Sequence, residues 1–181
     1  DPMAEEEQEE RTQQEEQEQV QLDNDMQIVD EELDEVIKAE SDIDTVPTDG
    51  MVTEAKRGLE WRKEFGRGGT IIGATRANQI VNKTKLSPRT VRRMNSFFAR
   101  HEVDKRAEGF RPGEKGYPSN GRIAWSLWGG DAGQTWAKKK SAQLDRERGK
   151  FLEEGIIEEK QVTAAVKKGL QNKVDKHNEK H

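Results

Sequence analysis

Between Leu86 and Lys105 the chain reads LSPRTVRRMNSFFARHEVDK, a stretch whose residue types suggest two kinds of chemistry. Arg89, Arg92, Arg93 and Arg100, preceded by Lys83 and Lys85, are cationic donors suited to phosphate oxygens. At about 100° per residue, Val91, Met94, Phe98 and His101 share one face of a helix, while Arg89, Arg93, Ser96 and Arg100 share the opposite one. One side packs and the other is a cationic rail. His101, Glu102 and Asp104 are the types that ligate metals or move protons, but their spacing at a helix end matches no metal-ligand pattern. Ser87 and Ser96 have no base partner in the sequence, so we read no catalytic constellation, no metal site and no cofactor.

The elements that must hold this rail form an all-α pattern, because apolar residues recur at helical spacing and strand alternation persists nowhere. Ser87 can cap a helix over Pro88 to His101, with Pro88 at its first position, where a missing amide costs nothing. Before it lie a helix over about Val52 to Phe65, a stop at Gly66-Arg67-Gly68-Gly69 and a helix over about Thr75 to Asn82. The glycine cluster lacks the Lys-Ser/Thr pair of a phosphate loop. The helices on either side of Lys83 and Lys85 form a helix-turn-helix-like pair, with Ile80, Leu86, Val91 and Met94 as apolar anchors. The pair departs from that motif at Val81, where a small residue is usual, and at Lys85, where glycine would avoid the cost of a left-handed backbone.

Residues 102 to 121 are loop-like. Helix resumes at RIAWSLW, stops at Gly129-Gly130 and restarts with Asp131 as its cap. Trp125, Trp128 and Trp136 fall in these two helices beside Ile123 and Leu127 and are read as core.

Charge divides the chain. Residues 1 to 50 hold 20 acidic and 2 basic side chains, a net of −18, whereas residues 51 to 150 hold 10 acidic and 23 basic, a net of +13. An acidic arm precedes a basic body, and such asymmetry points to an electrostatic partner. Ala4 to Gln19 is nearly all Glu and Gln with nothing to bury, so it is expected to be disordered or a fraying, solvated helix. Met26, Val29, Leu33 and Val36 then mark a short acidic amphipathic helix, and Ser41 to Gly50 reads as a linker. At the other end Val162, Val166, Leu170 and Val174 recur every four residues between lysines, an amphipathic stripe suited to a partner's groove. The expected division is an acidic arm over 1–50, a basic helical domain over 51–137 and a charged helical tail over 138–181.

The absence of cysteine excludes disulfides and thiolate metal sites. No apolar run approaches the roughly 20 residues that span a bilayer, and the acidic start is unlike a signal peptide, so the expectation is a soluble, unsecreted protein.

The strings AKRGLEWRKEFGRGGT, FFARHEVDK and RIAWSLWGGDAG, within residues 55–137, resemble a small helical domain that recurs in tailed-bacteriophage head-gene proteins, often near or fused to the prohead protease. The likeness covers just under half the chain. It implies a phage origin and a place around head assembly. In that setting the first reading is a non-enzymatic, scaffold-type protein whose acidic arm shields the basic body and whose tail stripe docks on a head protein (coat, portal or protease), in the host cytoplasm or the virion. The likeness supplies no catalytic residues, since the protease portion has no counterpart here. The charge split supports an alternative, a DNA-binding module in which the arginine rail meets phosphates and the acidic arm competes for the same surface. Oligomeric state is open in both readings.

Overall fold

The computed structural model describes residues 2–153, with the backbone alone for residues 25–30 and 153. Among the described residues the structure is helical throughout, as the periodicity requires: α1 (Pro2–Ser41), α2 (Asp49–Phe65), α3 (Ile71–Val81), α4 (Pro88–His101), a 3₁₀ turn (Glu102–Arg106), α5 (Asn120–Leu127) and α6 (Gly130–Glu153). The chain divides into two compact units, Asp1–Ala39 with Arg148–His181, and Glu40–Glu147.

In the first unit, the residues of α1 from Pro2 to Asn24 are exposed, while Leu33 and Val36 are buried. The Glu/Gln run, expected to be mostly disordered, is instead a solvated helix continuous in α1 with the expected short amphipathic one, since Glu and Gln are good helix formers. The side chains of Met26 and Val29 and the stripe Val162, Val166, Leu170 and Val174 lie outside the described residues.

The second unit is built by local capping and an aromatic core. Thr48, Thr70, Ser87 and Ser119 each accept a hydrogen bond from a backbone N–H of the helix that follows, satisfying donors that a helix start leaves unpaired. Ser87 and Pro88 act as the sequence predicts. α3 begins four residues earlier than the expected Thr75, because Thr70 caps it through the Gly73 amide.

Inside, Phe97 stacks on Trp128 with ring centroids 4.4 Å apart, and Trp125 meets Phe98 edge-on at 4.8 Å. Met51, Ile80, Met94, Ile123 and Leu144 complete a continuous core, which the tryptophans centre as the sequence implies. The turn between α5 and α6 runs through Gly129 and Gly130 with φ of 108° and 64°, left-handed values that side chains resist. The GGDAG string is therefore a corner of the fold.

The segment that composition marks as a linker is packed. Ile43, Thr45 and Pro47 are buried while Asp42, Asp44, Val46 and Thr48 are exposed. Thr45 exchanges hydrogen bonds with Leu86, accepting from its N–H at 3.1 Å and donating from its hydroxyl to its carbonyl. The compact unit thus starts ahead of residue 51 and extends beyond residue 137, taking in Trp136, Ser141 and Leu144 of α6.

The α3–α4 pair also differs from the expected motif. Residues 82–87 separate the helices, where a helix-turn-helix uses about 3–4. α3 packs on α2 and α5, α4 packs on α5 and the 3₁₀ turn, and the two have little direct contact. The left-handed residue between them is Lys83 at φ 51°, two positions before the expected Lys85.

Candidate functional site

The structure divides the six predicted cationic residues into two groups. Arg92 turns off the rail toward the body, pairing with the buried Glu40 at 3.0 Å and with Asp145 at 3.4 Å. Lys83 pairs with Asp49, and Lys85 donates to the Ser41 carbonyl. These three serve the fold. Arg89, Arg93 and Arg100 share the outward face of α4 and form no hydrogen bond or ion pair with any described residue. At about 1.5 Å per residue the row is some 16 Å long.

On α3 stands an arginine that sequence reading misses. Arg76 of α3 falls in the buried series Gly73, Arg76, Ala77 and Ile80 and is only 7% exposed. It donates to Gln79 at 2.6 Å and lies over the Trp128 ring at 5.3 Å. Burial, and then the charge of nearby Arg93, lower its pKa from the ordinary value. A lone arginine among small residues carries no sequence signal that separates it from a surface one.

Away from these arginines lies a cleft of about 630 Å³ lined by residues that include Glu54, Lys105, Phe110, Arg111, Arg122, Trp125 and Asp131. Most of its charges cancel locally. The Arg122 guanidinium lies over the Trp61 and Phe110 rings at 5.1 and 5.5 Å, pairs with Glu54 at 3.4 Å and donates to Ser126, which in turn donates to Glu54. Asp131 accepts from Lys105 and from the Trp125 indole, each at 2.9 Å. The expected helix cap is thus a ligand for two side chains. His101 Nδ1 and Asp104 Oδ2 are 3.0 Å apart, and Glu102 accepts from Gln134. Among the described residues no three acidic or histidine side chains converge as metal ligands would.

Asp131 links this cleft to pH. Partial burial pushes its carboxyl up, but the hydrogen bonds from Lys105 and Trp125, with the charges of Lys105 and Arg122, outweigh it and leave the pKa lowered. A carboxyl depressed in the folded state stabilises fully above its unfolded value of about 3.9, and the contribution disappears as pH falls through the folded value. Asp131→Asn is therefore expected to be less stable than the parent at neutral pH by under about 1 kcal/mol, since the pair is solvent-screened. Urea unfolding at pH 7 and pH 3 should show that gap closing in acid. A gap unchanged between the two would refute this role.

Comparison with known protein families, with curated proteins and with solved structures finds no match. Among the described residues no helix is long and apolar enough to cross a membrane.

Proposed function

We propose that this is a non-enzymatic protein of tailed-phage head assembly, acting through protein–protein contacts with coat, portal or protease. The resemblance of residues 55–137 suggests the setting, and the observation that carries the contact reading is an apolar corner at the start of α3. Ile71 and Ile72 are 79% and 60% exposed, and Phe65, at the end of α2 across the glycine turn, is exposed as well. Scattered exposed apolar residues are ordinary, but large aliphatics adjacent at one corner mark a surface that gains by being covered. Fully covering each isoleucine contributes about 1.5–3 kcal/mol.

The test is co-expression of the full chain with the coat, portal and protease of the same phage, followed by sedimentation of the particles. Ile71→Ser with Ile72→Ser removes no core contact, so the variant should fold. Its particle-bound fraction is expected to fall at least tenfold, equivalent to about 1.4 kcal/mol. Equal recovery of variant and parent would remove the corner from the interface.

A second reading, binding to a nucleic-acid backbone, is favoured by Arg89, Arg93 and Arg100 lying on one face with no ion pair among the described residues, with the acidic arm as competitor. Three phosphate contacts give a slope of log affinity against log salt of about −2.7. The long α3–α4 connection gives no support to insertion in a groove.

A further inference from the structure

Three partly buried cations of the body have counter-charges: Arg92 has Glu40, Arg122 has Glu54, and Lys105 has Asp131. Arg76 has none among the described residues. It is more buried than any of those three, and it occupies a core-stripe position of α3 where an aliphatic residue would pack without desolvation cost. Its guanidinium is nevertheless held in one place, with one terminal nitrogen on Gln79 and its plane over Trp128, which Phe97 of α4 stacks against. The Nε is enclosed without a partner, and the second terminal nitrogen makes no hydrogen bond with any described residue.

Arg93 stands one helical turn before Phe97 on α4, whose ring stacks on the Trp128 ring that Arg76 covers; it is exposed, has no carboxylate among the described residues, and its charge reaches Arg76. Like charges raise each other's energy, the more so where one is desolvated, and an anion between them relieves it. An arginine stays protonated under any physiological condition, so neutralising it by proton loss is not an escape.

We propose that Arg76 and Arg93 form a binding site for a phosphate group, in which the fixed Arg76 offers its unbonded terminal nitrogen and Arg93 closes from the solvent side. The planar fork of arginine matches phosphate oxygens, and a dry, pre-positioned donor loses little freedom on binding. The site is independent of the apolar corner. Two sources carry the same chemistry, a free phosphate and a phosphodiester in a nucleic-acid strand, and the row through Arg89 and Arg100 suits the second.

Because Arg76 is buried, the variant for the test is the exposed Arg93→Gln, with Arg111→Gln as a control for loss of one exposed positive charge elsewhere. The full chain is melted in rising inorganic phosphate against chloride at equal ionic strength. For the parent and Arg111→Gln, the midpoint is expected to rise by about 3–6 °C at ten times the half-saturating phosphate. Arg93→Gln should need at least tenfold more phosphate for the same rise. Competition of a short oligothymidylate with phosphate would identify the backbone as the source, and stabilisation by phosphate without such competition would identify the free anion. A rise no larger than in chloride, or the same rise in Arg93→Gln as in the parent, would overturn the site.

Discussion

Replacing Trp125 with alanine is expected to lower the free energy of unfolding by about 3–5 kcal/mol, a loss that falls on the centre of the core. Trp125 is 1% exposed and its ring meets Phe98 and Phe110 edge-on, at 4.8 and 6.1 Å. Truncation opens a cavity that α4, α5 and the loop after the 3₁₀ turn cannot fill together. It also removes the indole donor from Asp131 and the ring beneath Lys105, 4.6 Å away, so the cleft loses its floor and part of its charge balance. A domain with about 5–15 kcal/mol of total stability would be left marginal. Urea unfolding followed by circular dichroism measures the loss. A change under about 1 kcal/mol would mean that the indole is not the centre of the core.

Gly58→Ala should cost about 1–3 kcal/mol even though alanine is the better helix former by about 1 kcal/mol. A Cβ at Gly58 would stand 2.7 Å from the Leu127 amide nitrogen and 3.1 Å from its Cα. Backbone cannot rotate away as a side chain can, so α2 and α5 would have to separate. Gly149→Ala is the matching control, because nothing among the described residues lies within 4 Å of its added carbon, and there the helix preference should emerge as a gain of up to about 1 kcal/mol. Opposite signs for one chemical change, read from paired urea midpoints, would establish the close approach of α2 to α5. Equal effects would refute it.

Those two glycines show what a sequence can disclose. Helix starts are legible because their causes are local: Ser87 followed by Pro88 announces α4 whatever surrounds it. The tryptophan core is legible for a similar reason, since Ile123, Trp125 and Leu127 lie in one short apolar stretch. Gly58 gives no comparable signal, because its reason for being glycine is Leu127, 69 positions along the chain. The packed segment around Thr45 hides in the same way. Its buried residues alternate with exposed ones, two of them aspartates, and read as a polar linker until Leu86 is placed beside them.

The cationic site is half legible. Helical periodicity separates the outward Arg89, Arg93 and Arg100 from the core face, but Arg92 lies between faces and its role depends on Glu40 and Asp145, both distant in sequence. Charge alone groups Lys83 and Lys85 with the rail, and Asp49 and the Ser41 carbonyl hold them instead. Arg76 escapes sequence reading because a long cationic side chain at a core-stripe position ordinarily snorkels to water. Only the packing of Trp128 and Gln79 around it shows that it stays inside.

Association with phage heads through protein contacts is tested most directly by sedimenting the full chain with particles formed by co-expressed coat, portal and protease, before and after nuclease treatment. Co-migration with the particles that survives nuclease is the predicted result. A chain left in the supernatant, or released once nucleic acid is digested, would contradict it.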